Sequence, residues 1–285
     1  MKKFSVWALC AVLLTSVLGS CQKDQVLGVS DGLNEEIILS VADGSIDMEV
    51  QTKAAEITSV PSSLYLERTT GTWKSETSKN ASASKTVSSG KINTGWYQTA
   101  TPTAYNYYVS NKAITFAAGG STISASNDTD VIAGCTQAAT NSTTPSVTLD
   151  HVFARTGALT ANAPSGYTIS DVVWQIKSNT GAGTAGTYNI ATKAWSSTTA
   201  LSQTTFTGSS DLYLVPGSYT ITLSYKLTKG DWNKTYDNKT AIVTLAAGKV
   251  NSITTTVPDD GGATEIVLSV SLTAWGTNPL TPTFS

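Results

Sequence analysis

Tyr219-Thr220-Ile221-Thr222-Leu223-Ser224-Tyr225-Lys226-Leu227 is the stretch that decides the fold class. Every second residue is large and apolar, and those between are small, hydroxylated or charged. Side chains of a strand alternate between two faces, so this run predicts a half-buried antiparallel strand. Pro216-Gly217 just before it marks a turn. The same alternation returns at Ile266, Leu268, Val270 and Leu272, at Val147, Leu149, His151 and Phe153, and briefly at Tyr105, Tyr107 and Val109. Gly248-Lys249 marks a turn ahead of a strand over 250–257. Beyond the first twenty residues no segment sustains a helical period with caps. Short strands between turns predict an all-β chain of antiparallel sandwiches rather than an α/β fold.

Composition agrees. Charged residues make up only 13% of the chain, and Ser, Thr, Gly and Ala are abundant beside Val, Ile, Tyr and Trp, a β-rich extracellular profile. The formal net charge of −2 leaves no basic surplus, so nucleic acid is not an expected partner. Residues 127–145 are polar and rich in small side chains except at 131–135, which sets a domain boundary near residue 145. An N-terminal body over 34–145 and a C-terminal body over 146–285 follow, each large enough for its own core.

The N-terminus reads as a bacterial lipoprotein signal peptide over 1–20. Lys2 and Lys3 give a short positive start, and residues 6–17 are mostly apolar and uncharged, too short for a spanning helix. Leu18-Gly19-Ser20-Cys21 has the small-residue cleavage pattern that ends in a thiol. Cys21 is thus the expected lipidation site, its sulfur carrying diacylglycerol and its amine a palmitate-type chain. Two such signals suffice for stable anchoring, at roughly 0.8 kcal/mol per buried methylene. The polar, glycine-containing residues 21–33 read as a flexible tether. With Cys10 lost and Cys21 acylated, only Cys135 stays in the folded body, so no internal disulfide is expected, and Cys135 reads as a small buried hydrophobe.

The residues that could carry chemistry point elsewhere. His151 is the one histidine. At an apolar position of a strand it reads as a packed or hydrogen-bonded core residue rather than a member of a catalytic triad. No spaced set of His, Cys and carboxylates forms a metal site, and no cofactor is expected. Gly181-Ala182-Gly183-Thr184-Ala185-Gly186 matches a dinucleotide fingerprint. That pattern needs a strand feeding a helix, whereas residues 171–176 and 186–190 both read as strands, so a flexible hairpin loop is expected. Asp259-Asp260-Gly261-Gly262 reads as a turn. Trp73, Trp96, Trp174, Trp195, Trp232 and Trp275 are scattered and read as packing residues. No enzyme is expected.

Taken together the chain resembles the fimbrillins of Bacteroidales, the subunits of type V fimbriae. The resemblance is carried by the lipobox at Cys21, by Thr52-Lys53-Ala54-Ala55-Glu56-Ile57-Thr58-Ser59 with Pro61-Ser62-Ser63-Leu64-Tyr65, and by Val147-Thr148-Leu149-Asp150-His151-Val152-Phe153-Ala154. Gly186-Thr187-Tyr188-Asn189-Ile190 with Trp195, Leu214-Val215-Pro216-Gly217-Ser218-Tyr219, Ala246-Ala247-Gly248-Lys249-Val250 and the closing Ala274-Trp275 extend it over nearly the full length. It implies two tandem transthyretin-like sandwiches and a lipoprotein precursor delivered to the outer membrane and cell surface. There a trypsin-like protease removes the first strand, and a strand from the next subunit fills the groove, a form of β-augmentation.

On this sequence the removable segment falls in 34–53, with Ile38, Val41, Ile46, Met48 and Val50 as the residues expected to seat in the groove. The family cuts after arginine. The matching position here is Lys53, with Arg68 as the alternative, although Arg68 follows residues 64–66 inside an expected strand. The C-terminal strand over 265–275 and the tail over 276–285 are the candidate donor, with Leu280 and Phe284 as inserting residues. The expected partners are therefore other fimbrial subunits, the outer membrane through the lipid on Cys21, and host or bacterial surface ligands. The competing expectation is a surface lipoprotein that binds glycan or host protein without polymerising.

Overall fold

The computed structural model describes residues 36–43, 60–97, 104–138, 144–206, 212–258 and 269–274. Every regular element among them is a strand. In chain order they begin with β1 (Glu36–Asp43), β2 (Ser63–Thr72), β3 (Ser75–Ser88), β4 (Lys91–Tyr97), β5 (Tyr105–Ser110), β6 (Ile114–Thr115), β7 (Thr122–Ser126), β8 (Ile132–Ala138) and β9 (Ser146–His151). Seven of these close into a ring in the order β1-β4-β3-β2-β5-β8-β9. All but one of its pairings are antiparallel; β1 runs parallel to β9. The ring is filled by Ile37, Leu39, Leu64, Leu66, Ile92, Tyr107, Val109, Ile132, Val147 and Leu149, all at 1% exposure or less.

The remaining strands are β10 (Ala154–Asn162), β11 (Thr168–Ser178), β12 (Ala185–Asn189), β13 (Ala194–Thr199), β14 (Thr204–Phe206), β15 (Tyr213–Leu214), β16 (Gly217–Lys229), β17 (Trp232–Leu245), β18 (Lys249–Thr256) and β19 (Ser269–Ala274). Two four-stranded sheets, β15-β10-β18-β19 and β14-β11-β16-β17, enclose a second core. The alternation read in the sequence sets its floor. Tyr219, Ile221, Leu223, Tyr225 and Leu227 are all buried, and they meet Trp174, Ile176 and Ile253. Alternation fades at the last strand, where Val270 packs on that core while Leu272 is 54% exposed.

A third core joins the two. The sheet β13-β12-β7-β6 takes two strands from before residue 145 and two after it, with Thr122–Ser126 pairing against Ala185–Asn189. It lies over the outer side of the ring, where Tyr108 and Ala133 meet Ile123, Tyr188, Ile190, Phe153 and Val215. For this reason β5 is buried at all six positions: its odd residues fill the ring and Tyr108 faces the covering sheet. Ser146–His151 belongs by hydrogen bonding to the ring, and Asn34–Ser285 group as one compact unit.

Two buried carboxyls sit where β2 and β3 meet this cover. Ser121 Oγ donates to Glu67, and Tyr108 OH donates to Glu76, while the second oxygen of each acid is buried with no partner among the described residues. Burial raises the Glu67 pKa above its ordinary 4.5; the Ser121 hydrogen bond and the Lys79 charge oppose this, and Glu76 reinforces it. The fold thus holds the Glu67 proton more tightly than the unfolded chain does. Its contribution to stability is full below about pH 4.5 and is lost as pH rises through the folded pKa.

Two outcomes are expected. In urea unfolding, Glu67→Gln should match the parent at pH 4 and exceed it at pH 8; a pH-independent difference would contradict the buried-proton account. Phe153→Ala should cost about 3–5 kcal/mol by the same measurement. A loss below about 1 kcal/mol, within the range of ordinary surface changes, would mean that the layer between ring and cover is not a packed core.

Candidate strand-exchange seam

Local sequence explains why β1 is a strand with one buried face. Ile37, Leu39 and Val41 point into the ring at 1%, 0% and 5% exposure, while Ile38 and Ser40 are only half-buried and Ala42 is exposed. The strand lies antiparallel against β4, with Ile38 opposite Asn93 and Ser40 opposite Lys91. On its other side it runs parallel to β9, with Val41 beside Val147 and Asp43 beside Leu149. Thr94 Oγ1 donates to Ile37 O at 2.6 Å, Val41 N to Gly90 O at 2.8 Å and Ser40 N to Pro145 O at 2.9 Å.

Among the described residues, β1 is therefore the only strand that pairs with both β4 and β9. Strands in a sheet stand about 4.8 Å apart, so its two neighbours flank a slot one strand wide, about 10 Å across. An occupant of that slot needs apolar side chains at alternate positions, and backbone groups free on both sides.

The structure corrects one assignment in this segment. Ile38 and Val41 were expected to seat together, but residues three apart on a strand face opposite ways, and the buried set is Ile37, Leu39 and Val41. The signal for Ile37 and Leu39 was in the sequence, as the i, i+2, i+4 run Ile-x-Leu-x-Val. Cys21, Ile46, Met48, Val50, Lys53, Leu280 and Phe284 lie outside the described residues.

Arg68, the alternative cleavage site, lies within β2 at 8% exposure. Its guanidinium sits 4.0 Å from the Tyr105 ring centroid and 4.6 Å from that of Trp96. With the Asn80 amide turned so that its oxygen faces the guanidinium, Nε and Nη2 donate to it at 2.6 and 2.7 Å. A protease loop cannot engage this bond while β2 is paired on both sides with β3 and β5.

The other singled-out residues take structural places. His151 is buried, with Nδ1 2.9 Å from Asp130 Oδ1. Burial pushes the Cys135 thiol up to about 11, and its Sγ lies 3.5 Å from Ile190 O. The glycine run 181–186 is not a hairpin loop, because β11 pairs with β14 and β16 whereas β12 pairs with β7 and β13. It is a crossover between sheets, pinned where Gly183 bridges Val215 and donates its N–H to Tyr219 OH at 3.0 Å. A Cβ at Gly183 would fall 1.9 Å from Thr199 O, so close backbone approach accounts for that glycine. Trp174 is buried in the sandwich, Trp73 stacks on Tyr108, Trp195 packs on Phe153 and Tyr188, and Trp232 is 42% exposed.

No protein-family model matches the chain, and no curated protein matches it in sequence. Solved structures do match. A fimbrial protein from Bacteroides vulgatus aligns with a TM-score of 0.56 at 12% identity, covering 85% of this chain and 100% of its own. Two proteins of Parabacteroides distasonis named for cell adhesion align at TM-scores of 0.52 and 0.50 and identities of 10% and 11%. They cover 88% and 86% of this chain and 100% of theirs. At these identities the likeness is one of fold, and the fold that this chain shares is that of Bacteroidales proteins named as fimbrial and cell-adhesion proteins.

Proposed function

We propose that this chain is the precursor of a structural subunit of a cell-surface fimbria. In this reading it is exported as a lipoprotein acylated at Cys21, cut after Lys53 at the outer membrane, and polymerised by strand exchange. The observation that carries the reading is β1, an N-terminal strand whose departure would open a closed ring along one slot. Fold likeness to a fimbrial protein supports it. The chain is read as non-catalytic, its ring and sandwich as elaborations of two transthyretin-like bodies, and its biological role as adhesion.

The energetics favour coupling between cutting and assembly. Ile37, Leu39 and Val41 are essentially fully buried, and each such side chain contributes about 1.5–3 kcal/mol. Losing all three removes roughly 5–9 kcal/mol, a large part of the 5–15 kcal/mol that holds a typical domain together. The backbone groups of β4 and β9 would lose their partners as well. A cut subunit is then stable only when its slot is refilled. Before cutting, the covalent link keeps β1 at high effective concentration; afterwards an incoming strand competes on equal terms. The tail with Leu280 and Phe284 is the donor in this scheme.

Limited trypsin treatment of the full chain should give a product starting at Ala54 that forms ladders resistant to mild heating in SDS. Lys53→Gln should remain monomeric under the same treatment, and a peptide spanning residues 34–50 should slow ladder formation. A cleaved product that stays monomeric at high concentration would sink the proposal.

A further inference from the structure

A cavity of about 530 Å³ opens beside the end of β9, between the β12–β13 hairpin and the β17–β18 turn. Its size lies within the few hundred to a thousand cubic ångströms typical of small-molecule sites. Trp195 and Tyr188 supply aromatic wall, and Asp150, Lys193 and Lys249 supply charge. Trp195 is held by Phe153 at 5.0 Å and Tyr188 at 5.2 Å between ring centroids, yet is only half-buried. Lys193 Nζ is 3.0 Å from Asp150 Oδ2, an ion pair with side chains 68% and 39% exposed. Lys249 forms no ion pair among the described residues, so the cavity carries one surplus positive charge.

The hairpin that forms one wall is fixed before any ligand arrives. Asn189 Nδ2 donates to Gly119 O at 3.2 Å and Gly120 O at 3.1 Å, and Asn189 Oδ1 accepts from Thr192 N at 2.9 Å. Preorganisation of this kind reduces the ordering cost of binding.

We infer that this cavity binds an acidic saccharide, a pyranose ring bearing a carboxylate. The ring's C–H face suits the half-buried Trp195 surface, which Tyr188, only 7% exposed, backs from the core. Vicinal hydroxyls suit Asp150, an acceptor with capacity left beyond its bond to Lys193. The carboxylate suits Lys249. Two lysines, one already neutralised by Asp150, are too few for a polyphosphate, and three charged side chains in the lining do not suit a lipid tail. The site is remote in kind from the seam: it uses none of the side chains of β1, and it stands whether or not the chain polymerises.

The test uses the full chain, uncut, so that failure of strand exchange cannot affect it. 3′-Sialyllactose, a chondroitin disaccharide and digalacturonate are each titrated by calorimetry against lactose as the neutral control. At least one acidic sugar should saturate, at least tenfold more tightly than lactose, and Lys249→Gln should weaken it at least fivefold without changing the thermal midpoint. Trp195→Phe, which keeps a ring in the wall, should weaken it less. Absence of saturation by all three acidic sugars overturns the inference. So does equal binding of lactose, indifference to Lys249→Gln, or equally effective competition by inorganic phosphate, which would mark a bare anion site.

Discussion

A closed ring of strands has no free edge, and everything else about this protein rests on that closure. Six of the seven strands are joined through antiparallel ladders, but the circle is completed only by β1, clasped between β4 and β9. Parallel pairing with β9 allows a strand far away in sequence to enter at the seam without a hairpin. Closure therefore depends on a segment near the N-terminus whose neighbours are not its sequence neighbours. Its bonds to Thr94, Gly90 and Pro145 are all long-range.

Closure also defines the outer side on which the rest is built. The ring's outward face at Tyr108 and Ala133 is apolar and is covered by a sheet drawn from both halves of the chain. Because β7 pairs with β12, neither half completes this layer alone. The same contact buries Glu67 and Glu76, each of which accepts one hydroxyl hydrogen bond on one carboxyl oxygen. Burial raises the Glu67 pKa, so the joint tolerates this buried acid at the cost of sensitivity to pH.

The cavity beside the end of β9 is a by-product of the same joinery. The β12–β13 hairpin covers the ring but does not reach the β17–β18 turn, and the space between keeps Trp195, Lys193 and Lys249 at its rim. Positioning a recognition surface where several elements converge gives it rigidity that a single loop does not have.

The sequence by itself determined the all-β class, because period-two alternation is a local property of backbone geometry. Tyr219 through Leu227 shows this at every apolar position, as do Val147 and Leu149. It also showed why Arg68 is a poor site for cleavage, since a strand flanked by Leu64 and Leu66 keeps its backbone in the ladder. The composition and local pattern around Gly181 gave a turn, but not its destination: a crossover and a hairpin need the same flexible residues. Only the tertiary structure decided which strands flank Ile37, Leu39 and Val41, because β1 pairs with β4 and β9 across long stretches of sequence. It alone placed Ser146–His151 in the ring and Thr122–Ser126 beside Ala185–Asn189. Partner choice among strands is a long-range matter. Many strands in this chain share the same threonine-rich alternation, and what distinguishes their pairings is the volume they fill together.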